Sequence, residues 1–467
     1  MVKMTAENRA DMMLNQPLNR VIPRLAIPTV ISMLVTAIYN IADTYFVSRI
    51  STEASGAVGV VFSAMAIIQA LAFTIGMGSG TNLSQALGAG KEDEARRYVS
   101  VAFFTSFLLG VALMIGCNLN LESLVRFLGA TDEFTPHAMA YAGYIFYAAP
   151  FMMSSFVMNN LLRFQGLAMY AMVGITTGGI LNMALDPLLI FTFGMGTAGA
   201  ALATAISQVI SFLILLIMCN TREGAIPIRF RDFRPSASLY GRILYNGVPS
   251  LGRQGIASVA TIILNRVAGT ISTDPATVNA AIAAMSIVSR FVMFINSAVV
   301  GFGQGFQPVC SFCFGAGKYR RVRKAYFYCG KVATLILVVL AAIAFLLSEP
   351  IIKLFRAEDP IVVSIGTAAL RYQLVTLPLW GFYVMSNMFT QSIGYGVRST
   401  IISSARQGIF LIPTVLILPR LFGLTGLELA QPVADVLAFI LSMALMYGIM
   451  KKLKTFQDKP HPLDAPS

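Results

Sequence analysis

The segment GMGSGTNLSQALGAGK at residues 76–91 returns in altered form as GQGFQPVCSFCFGAGK at residues 303–318, so a shift of 227 positions aligns the two. A shift of 228 positions pairs Asn159 with Asn387, in a different part of each half. Self-similarity at a nearly constant separation is the sequence signature of an internal structural repeat. We therefore predict that the chain consists of two halves with the same fold.

Long apolar runs surround both segments in a chain of 467 residues that is 56% hydrophobic and 12% charged, whereas a soluble domain is about 25% charged. The runs form two sets of six, at residues 21–48, 56–86, 96–118, 135–160, 167–192 and 196–219, then 241–268, 277–312, 325–347, 361–390, 395–419 and 425–450. A transmembrane helix needs about 20 apolar residues, and each run supplies them. The predicted fold class is an all-α integral membrane protein with twelve transmembrane helices in two six-helix lobes.

The longest polar interruption, NTREGAIPIRFRDFRPSAS at residues 220–238, separates the two sets. We predict an N-terminal lobe over residues 1–219, a cytoplasmic linker over 220–238, and a C-terminal lobe with a cytoplasmic tail over 239–467. Because six is an even number, the second lobe enters the membrane from the same side as the first, which gives a parallel internal repeat around a central cleft. The first 15 residues have no apolar core with a small-residue cleavage site, so no removable signal peptide is expected.

The formal net charge of +13 would favour a nucleic-acid partner in a soluble protein. Here the basic residues concentrate on one side of the predicted membrane, in segments 91–97, 222–242, 318–331 and 451–459. By the positive-inside rule, both termini are cytoplasmic in a multi-pass protein of the cytoplasmic (inner) membrane. We expect contact with membrane lipids, no nucleic-acid partner, and a monomer.

Two carboxylates lie within predicted spans of the first half, Asp43 in the first span and Asp186 in the fifth. A carboxylate inside a bilayer costs roughly 2.5–3.5 kcal/mol on insertion scales and is a functional candidate by default. Asn182 lies four residues before Asp186 and so shares its helix face, while Pro187 is expected to bend that helix. With Thr204 of the sixth span, these oxygens form a predicted cluster of the kind that a hard cation prefers.

Two uses of this cluster remain open at this point. Mutual repulsion between two dehydrated carboxylates favours binding of a proton, and sodium would replace the proton's charge with its own. Either ion would convert an electrochemical gradient into a change of helix packing. The alternative is a structural role, in which Asp43 and Asp186 are each bonded to neighbouring hydroxyls or amides.

Other polar residues give weaker indications. Glu428 and Asp435 share one face of the last span, and their closeness to its external end favours solvated or helix-capping roles over ion coupling. Four arginines of the second half are predicted to line its cavity, extend to an interface or pair structurally: Arg253, Arg290, Arg371 and Arg406.

Chemistry beyond transport has little support in the sequence. Cys310 and Cys313 form a C-x-x-C without a second pair or a nearby histidine, and we interpret them as small apolar helix residues. The glycine patterns at 76–80 and 303–305 lack the preceding strand of a nucleotide-binding loop, so close helix packing is the better interpretation. No G-x-x-x-x-G-K-[ST] occurs, and the two histidines are His137, at the edge of the fourth predicted span, and His461, outside the spans. We expect no enzyme activity and no cofactor.

Four segments together carry a family resemblance: IYNIADTYFV at 38–47, the glycine segment at 76–91, NMALDPLLIF followed by GTAGAALATAISQ over 182–208, and VPSLGRQGIASVATIILNR at 248–266. Over nearly its whole length the chain resembles the multidrug and toxic compound extrusion (MATE) transporters, and it looks most similar to their DinF-like branch. In that branch the cation site lies on residues that match Asp43, Asn182, Asp186 and Thr204. Another branch uses acidic residues in helices seven and ten, but spans 241–268 and 361–390 contain neither Asp nor Glu.

The sequence and the resemblance together predict an antiporter that exports amphipathic, often cationic, drug-like compounds in exchange for inward protons or sodium ions by alternating access. Tyr39, Asn40 and Asn159 are predicted to line the substrate cavity. The alternative is a lipid-linked oligosaccharide flippase, which would carry a strongly cationic central cavity and often two additional spans. An intramembrane enzyme is a third, less favoured hypothesis because no catalytic constellation is visible.

Overall fold

The computed structural model describes residues 6–268, 275–356 and 359–460, which fold as helices without a strand. The last seven residues of the predicted tail lie outside these ranges. The helices are α1 (Ala6–Leu14), α2 (Leu18–Ser48), α3 (Thr52–Gly88), α4 (Glu92–Leu119), α5 (Leu121–Phe127), α6 (Thr135–Phe164), α7 (Ala168–Pro187), α8 (Gly196–Thr221), α9 (Ala237–Ala268), α10 (Pro275–Gly315), α11 (Tyr319–Leu346), α12 (Ser348–Arg356), α13 (Pro360–Thr376), α14 (Leu379–Ser392), α15 (Gly396–Ser404) and α16 (Leu411–Thr455).

The helix bounds agree with the predicted spans. Within the described ranges, nine helices are long and apolar enough to cross a membrane, and the pair α13 and α14, bent by 58°, makes a tenth span. The last of the nine, Gly396–Thr455, holds two predicted spans because the backbone breaks at Gly423, where φ is 58° and ψ is −134°. α9 covers the remaining predicted span, although its charged residues lower its apolarity.

The internal repeat is also visible in local geometry. The side-chain amide of Asn159 donates to the carbonyl of Ala171 at 2.9 Å, and the amide of Asn387 donates to the carbonyl of Ser399 at the same distance. Both pairs are separated by twelve residues and are related by the shift of 228 found in the sequence. The same bond therefore fixes the turn between consecutive spans in each half.

The two lobes contact each other through backbone surfaces that only glycine allows. An added Cβ at Gly78 would lie 2.0 Å from the carbonyl oxygen of Ile243, and one at Gly88 would lie 2.0 Å from that of Phe312. Gly78 belongs to the pattern at 76–80, whose interpretation as a close-packing segment is confirmed, and Gly88 makes the same kind of contact. α3 consequently crosses α9 and α10 at backbone contact distance.

Among the described residues, the hydrogen bonds between the two lobes cluster on one side of the molecule. This is the side on which the chain begins and ends. Asn246 donates to Asn82 at 3.2 Å, and Arg242 forms an ion pair with Glu94 at 2.7 Å. Further bonds join Thr29 to Gly301, Ser84 to Pro308 and Gln85 to Ser392. The lobes are thus joined at this side of the molecule, which we call the closed side.

The N-terminal segment is more ordered than its polar composition indicates. α1 buries Met12 and Met13 in the apolar core of the second lobe. Arg321 of α11 donates to the carbonyls of Met13 and Gln16, at 2.8 and 2.5 Å, and Arg9 donates to the carbonyl of Gly224 in the linker. α1 therefore connects the linker to the second lobe on the closed side.

Candidate functional site

Three helices of the first lobe bring the predicted cation-binding residues together. α7 packs between α2 and α8, so Asn182 and Asp186 of α7 lie between Asp43 of α2 and Thr204 of α8. α7 ends at Pro187, where the sequence predicts a bend, and continues as a π-helical turn over Leu188–Thr192. Turns of this kind occur frequently at functional sites.

One amide organises the centre of the cluster. The side-chain nitrogen of Asn182 donates to Asp186 Oδ1 at 3.3 Å and to Thr204 Oγ1 at 3.2 Å. Asp186 is fully buried, while Asn182 is 3% and Thr204 5% exposed. The amide thereby holds the oxygens of two helices around one point.

Three other oxygens of the cluster are buried acceptors without a donor. Asp43 Oδ1, Asn182 Oδ1 and Asp186 Oδ2 have no hydrogen-bond partner among the described residues. The two carboxylates are close enough to interact electrostatically. Because buried polar atoms are nearly always paired, three such oxygens in one lobe make this cluster a candidate site for a cation.

The cavity beside these residues has the size of an ion. It is lined by Tyr39, Asn182 and Thr204 and, further along, by Ser207 and Gln208, and its volume is about 20 Å³. A single water molecule needs roughly 10–15 Å³ by the same measure. The cavity therefore fits a cation or one water, and it is too small for a drug-like molecule.

Tyr141 of α6 belongs to this cluster and is missing from the sequence prediction. It is fully buried, its hydroxyl lies close to Asp43 and Thr204, and it is 3.9 Å from the sulfur of Met65. The segment YAGYIFY at 141–147 holds three tyrosines, and nothing in the local sequence distinguishes the one that faces the carboxylates.

The residues predicted for the substrate cavity are placed differently from one another. Tyr39 lines the small cavity, and Asn40 is half-buried on the same helix. Asn159 is 9% exposed, and its amide is bonded to the carbonyl of Ala171. The structure therefore places Tyr39 beside Asn182 and Thr204 and Asn159 in the contact between α6 and α7.

The expectation that Glu428 and Asp435 are solvated or cap the helix is wrong. Glu428 is 7% and Asp435 only 2% exposed. Asp435 accepts hydrogen bonds from Arg406 at 2.7 Å and from Trp380 at 2.9 Å, and it also accepts from Thr376 and Gln431. The physical reason is depth, since the backbone breaks at Gly423 and Asp435 lies twelve residues, about 18 Å, beyond that break.

The four arginines of the second half separate into two groups. Arg253 and Arg406 line a cavity of about 110 Å³ in the second lobe. Arg371 donates to the hydroxyl of Ser348 at 2.8 Å, and Arg290 is exposed. The sequence interpretation left cavity lining and structural pairing open, and Arg406 does both.

The C-x-x-C pair of the second half lies in an apolar environment. Cys310 and Cys313 are buried and free, and they pack in the apolar core of the second lobe. In the ranges that the structure describes, no group of three or more His, Cys, Asp or Glu side chains converges as a metal site.

The comparisons with known proteins agree with this architecture. The sequence pattern of the MatE family matches residues 28–188 and 249–417. The multidrug export protein MepA of Staphylococcus saprophyticus is 27% identical over 433 residues, which cover 92% of this chain and 93% of MepA. MepA of Staphylococcus aureus is 26% identical over 440 residues, with coverage of 94% and 95%.

Solved structures show the same similarity. An outward-facing multidrug resistance MATE family transporter superposes with a TM-score of 0.89 at 28% identity, covering 97% of this chain and all of its own. A MOP superfamily transporter from Pyrococcus furiosus superposes with a TM-score of 0.88 at 28% identity, again over 97% of this chain.

Proposed function

Because the chain belongs to the MatE family of membrane transporters, we propose that it is a secondary active multidrug exporter that exchanges amphipathic or cationic compounds for inward protons or sodium ions. The cargo class is supported by the similarity to MepA, which is named as a multidrug export protein. The coupling ion is supported by the cluster in the first lobe.

The observation that carries this proposal is the set of buried oxygens without donors. A purely structural role for the carboxylates requires each of them to be bonded to hydroxyls or amides. Asp186 has one such bond, from Asn182 to Oδ1, while its Oδ2 and the Oδ1 of Asp43 have none. A proton would turn one of these acceptors into a donor, and sodium would be bound directly by several of them.

The coupling roles follow from these positions. Asp43 and Asp186 carry the negative charge that the ion neutralises, and Asn182 and Thr204 complete its surroundings. The four residues belong to α2, α7 and α8, so occupation of the site changes the attraction between those helices. An ion can shift the conformational equilibrium only by its difference in affinity for the two conformations.

Alternating access gives the direction of transport. The closed side carries the chain termini and the basic segments, which the positive-inside rule places in the cytoplasm. The bonds that join the lobes lie on that side, so we infer that the central cleft faces the opposite, external side. This arrangement is the one expected after cargo has been carried outward.

The test is transport by the purified protein in liposomes, with a pH gradient and a sodium gradient imposed separately. A tenfold gradient of a singly charged ion supplies about 1.4 kcal/mol, so one of the two gradients should drive accumulation of a cationic dye. Asp186→Asn should abolish this accumulation, because the amide keeps the size of the side chain but removes its charge.

The matched control is Asp93→Asn, which removes one carboxylate from an exposed position at the start of α4. This variant should transport at the native rate. Gradient-driven accumulation that persists in Asp186→Asn would contradict the assigned coupling residue. A native protein that responds to neither gradient would contradict the proposed function itself.

A further inference from the structure

The second lobe contains a cavity whose electrical character is opposite to that of the first. Its lining includes the guanidinium groups of Arg253 and Arg406, the side chains of Asn387 and Gln407, and the apolar side chain of Val384. The shift of 228 that relates the lobes places Arg406 where the first cavity has Gly178. The repeat has therefore kept the cavity and changed its charge.

One of the two guanidinium charges is neutralised. Arg406 forms an ion pair with the buried Asp435 at 2.7 Å and stacks 3.6 Å above the ring of Trp380. Removal of either partner of a buried pair leaves an uncompensated charge. We therefore assign Arg406 to the structure of the second lobe and not to ligand binding.

Arg253 has no such partner. It lies near the middle of α9, a helix of 32 residues, and donates to Asn387 Oδ1 at 3.3 Å and, weakly, to the sulfur of Met388 at 3.9 Å. No acidic side chain pairs with it in the part of the chain that the structure describes. An ionised group in the membrane interior is costly unless a charge of opposite sign accompanies it.

The neighbouring charges do not supply that anion. Arg163 is buried at the interface between the lobes, where it donates to Asn160 at 2.5 Å and to Gln304. Its charge repels that of Arg253. Glu428 is buried on α16 but does not line the cavity. With the pair of Arg406 and Asp435 neutral, the cavity has one uncompensated positive charge.

We propose that this cavity binds the carboxylate of an amphipathic cargo molecule, with Arg253 as the residue that recognises it. This inference rests on the proposed export function and assigns a residue that recognises the acidic group of a zwitterionic cargo. A volume of about 110 Å³ accommodates a carboxylate, and the planar guanidinium can bind both of its oxygens. A single uncompensated charge matches a monoanion better than a pyrophosphate, which a flippase for lipid-linked oligosaccharides would have to bind.

Two fluorescent dyes of matched structure test the proposal by equilibrium binding to the purified protein. Rhodamine 110 carries a free carboxyl group, and rhodamine 123 is its methyl ester with the same cationic ring system. Arg253→Gln should weaken binding of rhodamine 110 at least tenfold, the effect of losing a hydrogen bond to a charged group. It should change binding of rhodamine 123 by less than twofold.

The matched control is Arg398→Gln, which removes an exposed arginine from the start of α15 and should affect neither dye. Arg253→Lys keeps the positive charge but loses the planar guanidinium group, so this variant should retain part of the preference for rhodamine 110 over rhodamine 123. It also provides a folded comparison if the glutamine variant is unstable.

The outcomes separate the two proposals. Equal losses for both dyes in Arg253→Gln, or no loss for either, would overturn the carboxylate site while leaving export intact. If Arg253 binds only a chloride ion, the carboxylate site is likewise overturned. In that case Arg253→Gln would not weaken binding of rhodamine 110 more than binding of rhodamine 123. Failure of the native protein to bind either dye would count against the proposed function.

Discussion

Substitution of Gly78 by alanine should open the closed side of the molecule. The added Cβ would lie 2.0 Å from the carbonyl oxygen of Ile243, whereas ordinary contact begins at 3.4 Å. The opposing atoms belong to the backbone and cannot rotate away, so α3 and α9 must separate by about 1.4 Å at this point. Overpacking of this kind costs about 1–3 kcal/mol, and the strain exists only while the lobes are joined.

A difference of 1–3 kcal/mol changes the equilibrium between two conformations by about 5- to 150-fold. The matched control is Gly59→Ala on the same helix, where an added Cβ meets nothing within 4 Å. Both substitutions remove a helical glycine, which stabilises a helix by about 0.5–1 kcal/mol. The difference between the two variants therefore reports the contact with the backbone of α9 at Ile243 and Gly247.

Distances between two spin labels measure the equilibrium directly. Asp93 at the start of α4 and Lys324 in the first turns of α11 are exposed and belong to different lobes. Pulsed electron paramagnetic resonance in nanodiscs should give one dominant short distance for the native protein and for Gly59→Ala. Gly78→Ala should add a longer distance. Identical distributions in all three proteins would refute the assignment of this contact as the closure between the lobes.

Two further variants test contacts that stabilise the fold. Arg406→Gln leaves Asp435 buried without its ion pair and should lower the free energy of unfolding by about 3–5 kcal/mol. In a thermal unfolding assay, the additional change Asp435→Asn should recover most of this loss. If the double variant recovers no stability, the ion pair is not the cause of the loss. Arg321→Gln removes the hydrogen bonds to the carbonyls of Met13 and Gln16, so limited proteolysis should cut α1 faster than in the native protein. An unchanged rate of cleavage would mean that burial of Met12 and Met13 alone holds this helix in place.

The features that the sequence predicts well are those that repeat or are local. The shift between the two glycine segments is a property of the sequence alone, and it implies the two-lobe fold that the structure has. Asn182 and Asp186 lie four residues apart on one helix, so helical geometry is enough to place their oxygens together. Pro187 marks the end of that helix for an equally local reason.

The features that the sequence misses depend on contacts between distant segments. Asp435 and Arg406 are 29 residues apart and lie on different helices, so neither residue indicates the other. The depth of Asp435 depends on the backbone break at Gly423, which apolar periodicity does not detect. Tyr141 is one of three tyrosines in a short segment, and only the packing of α6 against α7 and α8 selects it.

The opposite charges of the two lobes have a consequence for coupling. A cation bound between Asp43 and Asp186 lowers the negative potential of the first lobe, and with it the attraction for a cationic cargo group. The charge of Arg253 does not change in this step, because the proposed coupling site is in the other lobe. If both proposals hold, ion binding weakens the retention of purely cationic compounds directly, whereas a zwitterion also has to be released by a change in the second lobe. Rhodamine 123 should therefore depend more strongly on the ion gradient than rhodamine 110, a difference that the same liposome assay can measure.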